Sequence, residues 1–99
     1  MRKIEAIIRK EKFADVFHAL EKSGVGGITA IETKCGKPRS GLKDYIKLEL
    51  YTDEFQTEKV IDIIRKAAKT GVAGDGKIAL FSLEQLYSIR NNQQGASAI

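Results

Sequence analysis

The chain has 99 residues, of which 42% are hydrophobic and 30% charged. This composition is too apolar for a disordered chain and too charged for a membrane protein, and no apolar run approaches the ~20 residues needed to cross a bilayer. The single cysteine, Cys35, excludes an intrachain disulfide and a multi-cysteine metal cluster. The net charge of +4 favours an anionic partner, although a merely basic soluble surface fits it equally well. Charges interrupt the short apolar stretch of residues 1–9, unlike in a secretory signal, so we expect a cytoplasmic protein.

The first half of the chain has the pattern of a strand, a helix and a second strand. Apolar and charged residues alternate over 3–9, which predicts a strand with one buried face and places Ile7 on the other face. Apolar residues recur at helical spacing over 13–20, and Gly24 is the expected end of that helix. A second strand is predicted over 28–34.

The second half repeats this order. Residues 43–51 alternate, so a third strand presents Tyr45 and Tyr51 on the face away from the core. Asp53 is placed to cap the next helix, with Gln56 at the capping-box position. The apolar stripe of that helix lies within residues 60–68, and its members are Val60, Ile63, Ile64, Ala67 and Ala68.

The remaining segments are shorter. A fourth strand is predicted over 77–81, while residues 82–89 fit one helical turn or a strand, and 91–99 form a polar tail. The order βαββαβ predicts an α+β, ferredoxin-like sandwich with both helices on one face of a four-stranded sheet. The other face would expose Ile7 and the two tyrosines, so we expect a symmetric oligomer.

Residues 70–78, which read TGVAGDGKI, are the most informative stretch for chemistry. Three glycines allow the backbone to approach an anion closely, and Lys77 supplies a positive charge. A tight helix-to-strand connection with a solvated lysine explains the spacing slightly better than an anion-binding loop does. The stretch is not a Walker loop, because Ile78 follows Lys77 where that loop requires serine or threonine.

No other residue type in the sequence makes a strong case for catalysis. The Thr29 hydroxyl and the Arg90 guanidinium are candidate contacts to a base or a phosphate, although each also fits an ordinary exposed position. His18 has no second histidine as partner, which argues against a metal site. Cys35 has no neighbouring histidine in the sequence, and no paired carboxylates are evident. We therefore predict a protein that is not an enzyme and holds no metal.

Three stretches together resemble the PII signal-transduction proteins: the opening MRKIEAIIR, the Gly27-Ile28-Thr29 turn, and the TGVAGDGKI block. The tail is also similar, with Ile89-Arg90 and the closing Ala98-Ile99. The resemblance covers nearly the whole chain. It implies a homotrimer of ferredoxin-like subunits formed by residues 1–90, followed by a C-terminal segment over 91–99. It also implies a signalling regulator that binds adenine nucleotides in the clefts between subunits.

The same resemblance assigns the site residues. Phosphates would be held by the B-loop, residues 70–77, through Gly74, Asp75, Gly76 and Lys77. The family's base-contacting positions correspond to Ile7, Gly27, Ile28, Thr29, Glu49 and Tyr51. The C-terminal segment of a neighbouring subunit would add Arg90, whereas Ser88 stands where the family has a second arginine.

The main departure from the family is the loop between the second and third strands, the T-loop, which is shortened here to residues 35–42. We expect a mobile surface loop that leaves the same cleft as Thr29 and contacts a target protein such as a transporter or an enzyme. Its predicted contact residues are Cys35, Gly36, Lys37, Arg39 and Gly41. The family's modification tyrosine and its glutamine for 2-oxoglutarate have no counterpart. With fewer arginines near the phosphates, we expect ADP or AMP to bind better than ATP.

Other functions stay open at this point. Short-loop relatives leave a link to nitrogen or to inorganic-carbon (bicarbonate) metabolism open, with bicarbonate or a cyclic nucleotide as a second effector. A small phosphate-ester enzyme has a similar size and basicity, but it needs a glycine-rich loop with an arginine after the first strand, and the chain has none there. An RNA-binding sheet would use Tyr45 and Tyr51, but the aromatic-rich RNP pattern is missing. We therefore expect no nucleic-acid partner, no catalytic cofactor and no membrane insertion.

Overall fold

One four-stranded antiparallel sheet, with strand order β2-β3-β1-β4, supports two helices in a computed structural model that describes all residues from Met1 to Ile99. The elements are β1 (Arg2–Arg9), α1 (Phe13–Lys22), β2 (Thr29–Lys37), β3 (Gly41–Thr52), α2 (Thr57–Ala68) and β4 (Gly76–Ser82). Short 3-10 turns occupy Lys10–Lys12 and Gly95–Ala98. This arrangement confirms the predicted ferredoxin-like fold. Neither α-helix has the length and apolar character that crossing a membrane requires.

The core lies between the helices and one face of the sheet, as the alternation in the sequence predicts. The central strands β1 and β3 each bury every second residue, and these are Ile4, Ala6, Ile8, Ile46, Leu48 and Leu50. Val16 and Leu20 of α1 and Ile64 of α2 pack against them. In α2 the buried stripe includes Ile61, whereas the expected Ile63 is only partly buried.

Both predicted helix boundaries have identifiable causes. Helix α1 stops at Lys22, and Gly24 takes a φ of +77°, a backbone conformation that glycine adopts without a steric penalty. The Asp53 carboxylate accepts hydrogen bonds from the amides of Phe55 and Gln56, each at 2.9 Å, and so caps the turn that leads into α2. Gln56 forms no side-chain capping bond, so the expected capping box is absent.

The predicted bounds of the second strand and of the T-loop are wrong. Strand β2 continues to Lys37, β3 begins at Gly41, and only residues 38–40 turn between them. The Ser40 amide donates to the Lys37 carbonyl at 3.0 Å and Gly41 has a φ of +77°, which together describe a three-residue hairpin turn closed by a left-handed glycine. Residues 35–42 therefore belong mostly to a paired hairpin and not to an irregular loop.

Gly36 explains why a glycine occurs inside this strand. A Cβ placed on Gly36 would lie 2.0 Å from the Gly41 carbonyl oxygen on the opposite strand, so no larger residue fits this close approach. The glycines that look like loop signals in the sequence are thus part of the strand pairing itself.

The C-terminal segment is folded and not a free polar tail. Strand β4 ends at Ser82, and the chain then folds back on itself, with the Gly95 amide donating to the Leu86 carbonyl at 2.8 Å and a bridge between Tyr87 and Gln94. Arg90 lies exposed within this fold-back. Residues 82–89 form no helical turn.

Candidate functional site

A cleft of about 520 Å³ lies between the B-loop and the outer part of the β2–β3 hairpin. Its walls are formed by Ile7 of β1, Tyr45 of β3, residues 35–37 of β2 and residues 72–77. A second cleft, of about 310 Å³, lies next to the same loop against the end of α2. The hairpin and the B-loop, which are far apart in sequence, therefore share one concave surface.

The B-loop offers hydrogen-bond donors to this cleft. The amides of Ala73, Gly74 and Asp75 donate to no acceptor within the chain. Gly74 and Gly76 have φ angles of +101° and +105°, and consecutive free amides in such a turn form a concave site for an anion. The Lys77 side chain lines the cleft, is exposed and enters no salt bridge, so its charge is available to a ligand.

Asp75 is engaged inside the loop. Its Oδ2 accepts from the amides of Thr70 and Gly71 at 2.9 Å each, and its Oδ1 accepts from the Thr70 hydroxyl and from Arg9 Nε, the latter at 3.2 Å. These donors, the Thr70 hydroxyl and amide first, hold the pKa of the Asp75 carboxyl well below its usual range. The carboxylate therefore shapes the loop, and only the backbone amide of Asp75 is free for the predicted phosphate contact.

The stability contributed by Asp75 is expected to depend on pH. Because its pKa in the folded chain is lower than its ordinary value of 3.8, the ionised form stabilises the fold above that value, and the contribution falls as the pH drops toward the folded-state pKa. Asp75→Asn should unfold more easily than the wild type near neutral pH, and the difference should shrink steadily below pH 3.8. Urea denaturation from pH 7 to pH 2 measures this, with Asp15→Asn on the exposed face of α1 as the control. A difference that stays constant with pH would contradict the assignment.

Two further residues hold the loop and were not identified from the sequence. Arg9 Nη2 donates to the carbonyl of Ala73 at 2.9 Å, and the Tyr45 hydroxyl donates to the carbonyl of Gly74 at 2.6 Å. The alternation over β1 and β3 places both side chains on the open face of the sheet. This pattern is the signal in the sequence from which their position could be predicted.

The predicted base-contacting residues lie elsewhere in the same chain. Thr29 pairs with Glu49 near one end of the sheet, whereas Lys77 pairs with Ile7. From strand spacing and rise, the Cα atoms of Lys77 and Thr29 are roughly 16 Å apart. Of the predicted base contacts only Ile7 lines either cleft, so Gly27, Ile28, Thr29, Glu49 and Tyr51 are separate from the B-loop within one chain.

Several of these positions have other contacts. The Ile28 side chain packs against the core, which leaves its backbone for a ligand. Glu49 is ion-paired with Lys3 at 3.2 Å on the open face, and Lys3 also pairs with Glu5 at 3.0 Å. Arg90 lines neither cleft.

The prediction that Thr29 and the T-loop leave the same cleft is wrong for a single chain. The two lie at opposite ends of β2, about 26 Å apart at the rise of an extended strand. Three of the predicted loop residues, Cys35, Gly36 and Lys37, do line the B-loop cleft. The hairpin thus faces the B-loop and not the start of its own strand.

Comparisons with known proteins give one consistent result. The family model described as Nitrogen regulatory protein P-II matches residues 1–93. The chain is 38% identical to the Nitrogen regulatory protein P-II of Pyropia yezoensis and 36% identical to that of Rhodospirillum rubrum, each over 112 aligned positions that cover all of both proteins. It is 36% identical to Nitrogen regulatory protein P-II 1 of Methanothermobacter thermautotrophicus, covering 97% of that protein.

A solved structure gives the same result. The chain superposes on Arabidopsis thaliana PII bound to citrate with a TM-score of 0.90 and 32% identity, over 99% of this chain and 91% of that one. These relatives are regulatory proteins, which confirms the expectation that the chain is not an enzyme. Neither the phosphate-ester enzyme nor the RNA-binding sheet is favoured by any of these matches.

Proposed function

Because the chain belongs to the P-II family of nitrogen regulatory proteins, which are signalling regulators, we propose that it binds an adenine nucleotide in a cleft completed by a second copy of the chain. This proposal rests on one observation in the B-loop. Three consecutive backbone amides there have no acceptor, and they lie next to the unpaired charge of Lys77. Phosphate groups are well matched by such a combination of backbone donors and a point charge.

A second copy is needed because no single chain brings the two halves of the proposed site together. The B-loop lies beside edge strand β4, whereas Thr29 begins the other edge strand, β2. A neighbour whose β2 edge approaches the β4 edge would place Thr29, Gly27 and Ile28 against the B-loop. We propose a homotrimer, as the family resemblance implies, because one such edge-to-edge contact repeated with a rotation of about 120° closes into a ring of three. Gel filtration with light scattering tests this, and a monomer at all concentrations would contradict it.

We propose ADP or AMP as the preferred ligand and ATP as the weaker one. Few cations line the cleft between the B-loop and the hairpin. They are Lys77 and Lys37, while Arg65 and Lys69 line the adjacent cleft and Arg90 is the single arginine of the C-terminal segment. A triphosphate would leave more negative charge uncompensated than a diphosphate. Calorimetric titration with AMP, ADP and ATP in the same buffer measures the order, and a clear preference for ATP would overturn it.

Lys77→Ala is expected to weaken nucleotide binding without unfolding the chain. Loss of a charged hydrogen bond to phosphate lowers the affinity by about 10- to 100-fold. An exposed lysine without an ion pair contributes little to the stability of the fold. Calorimetry with ADP and a thermal melt measure the two effects. Lys66→Ala, an exposed lysine of α2, is the matched control. Unchanged ADP affinity in Lys77→Ala would contradict the proposed site.

The β2–β3 hairpin is the proposed contact to a target protein, such as a transporter or an enzyme, in the cytoplasm. The alignments with relatives run over 112 positions, 13 more than the 99 residues here, which is consistent with a shortened T-loop. The predicted contact residues are Cys35, Gly36, Lys37, Arg39 and Gly41, of which only Arg39 lies in the turn itself. Since one wall of the B-loop cleft belongs to this hairpin, a bound ligand changes the surface that a target meets.

A link to nitrogen or to bicarbonate metabolism is proposed through a second effector. The Arabidopsis thaliana relative is bound to citrate, so small carboxylate anions belong in the test set together with bicarbonate, 2-oxoglutarate and a cyclic nucleotide. A thermal-shift screen with and without ADP identifies the effector, since a ligand that binds the folded chain raises its melting temperature. No shift with any of these compounds would contradict a second effector.

A further inference from the structure

We propose that Arg9 and Tyr45 are positioning residues that hold the B-loop in its anion-binding conformation before any ligand arrives. The inference deepens the proposed function and rests on it. Neither side chain is assigned to the site by the family resemblance, and Arg9 does not line the cleft. Arg9 therefore acts on a ligand through the loop. Tyr45 does line the cleft, but its hydroxyl proton is donated to the Gly74 carbonyl, so this bond too acts through the loop.

The two residues form one unit. Arg9 at the end of β1 and Tyr45 in β3 are direct cross-strand partners, so their side chains stand next to each other on the open face of the sheet. Beside them, the B-loop enters β4 where Gly76 pairs with Ile8. The pair thus projects from rigid, paired strands onto a loop that has no strand partner of its own.

Together they bind three successive carbonyl groups of the loop. The Arg9 guanidinium donates through Nη2 to Ala73 at 2.9 Å and, more weakly, to Val72 at 3.5 Å. The Tyr45 hydroxyl donates to Gly74 at 2.6 Å. A Cβ on Gly74 would lie 3.2 Å from both Arg9 Nη2 and the Tyr45 oxygen, so the glycine permits this close approach.

The geometry of the peptide bond links these carbonyls to the free amides. In a planar trans peptide the C=O of one residue points opposite to the N–H of the next. The carbonyls of residues 72, 73 and 74 therefore share their peptide planes with the amides of residues 73, 74 and 75. These are the same three amides that donate to no acceptor in the chain. Fixing the carbonyls toward Arg9 and Tyr45 turns the three N–H groups away from the sheet and keeps them available.

Positioning of the loop by Arg9 differs from ordinary stabilisation of the fold. Arg9 also donates through Nε to Asp75, which holds Thr70, so one guanidinium connects the start and the end of the loop. Without these bonds each peptide plane can rotate, and a bound phosphate would have to order the loop at a cost in affinity. Loss of the positioning bonds should thus weaken phosphate binding more than it weakens the fold.

The test compares Tyr45→Phe, Arg9→Met and Arg9→Lys with the controls Tyr87→Phe and Arg2→Met, which change the same residue types away from both clefts beside the B-loop. Calorimetry uses three probes: ADP, inorganic pyrophosphate and adenosine. We expect Tyr45→Phe to bind ADP and pyrophosphate about fivefold more weakly, which corresponds to one lost hydrogen bond. Arg9→Met should lose at least about tenfold, since it removes bonds to two carbonyls and to Asp75. Arg9→Lys should recover part of this loss.

The readouts separate positioning from other causes. Adenosine, which has no phosphate, should bind each variant as it binds the wild type, and the controls should match the wild type with every probe. The NMR amide chemical shifts should change at residues 73–75 and not in the core strands. Wild-type affinity for ADP and pyrophosphate in both Tyr45→Phe and Arg9→Met would overturn the inference while leaving the proposed function intact. A wild-type chain that binds none of the probes would overturn both.

Discussion

Gly76→Ala is expected to destabilise the chain by about 3–5 kcal/mol and to abolish nucleotide binding. A Cβ at this position would lie 1.7 Å from the Ile7 carbonyl oxygen, and the φ of +105° is strained for any residue with a Cβ. The obstructing atom belongs to the backbone of β1, so it can move only if the β1–β4 pairing opens. Since Gly76 is also the first residue of β4, the B-loop would lose its anchor.

The control for this prediction is Gly24→Ala. Gly24 also has a positive φ, +77°, but a Cβ there would meet nothing within 4 Å. Its substitution should cost only the backbone strain, about 1–2 kcal/mol. Urea denaturation of both variants, with ADP calorimetry on each, isolates the steric contact from the strain. Equal losses of stability in the two variants would contradict the argument.

The elements that could be predicted from the sequence are those whose signal is local. Alternation over β1 and β3 gave the buried face correctly, because each buried residue lies on the face that the two-residue period predicts. The helix end at Gly24 was equally local. The TGVAGDGKI block is also local, since its glycines and lysine adjoin one another in sequence, but its spacing alone fits a tight connection slightly better, and the phosphate site there stays a prediction.

The errors arose where the outcome depends on pairing between distant residues. Gly36, Pro38 and Gly41 look like loop signals, yet two of them permit a tight hairpin, which becomes evident only when the opposite strand is known. In the sequence, Arg9 and Tyr45 are each only one member of an alternating strand pattern. Their role depends on the register that puts them side by side and on the entry of β4 next to them. The family resemblance assigns Asp75 to the phosphate site without distinguishing its backbone from its side chain, and the sequence cannot show that Thr70 and Gly71 already occupy the carboxylate oxygens.

Mixing two inactive variants is expected to restore nucleotide binding. Lys77→Ala removes the charge from the B-loop half of the proposed site, and Thr29→Phe places a bulky ring in the half formed by the start of β2. Thr29 is exposed on an edge strand, so the larger side chain does not disturb the core. Each variant alone should bind ADP at least about tenfold more weakly than the wild type.

The restoration follows from the positions of the two residues. If each cleft takes its B-loop from one copy and Thr29 from the neighbour, random assembly of equal amounts gives native residues at both positions in about one quarter of the clefts. Subunits exchanged by unfolding and refolding the mixture should then show sites of wild-type affinity at about that fraction in calorimetry. Unmixed variants taken through the same refolding are the control. If one copy supplied both halves, no cleft in the mixture would be intact and no tight sites would appear. That result would contradict the shared cleft even if the chain proved to be a trimer, since it would place the nucleotide within a single subunit.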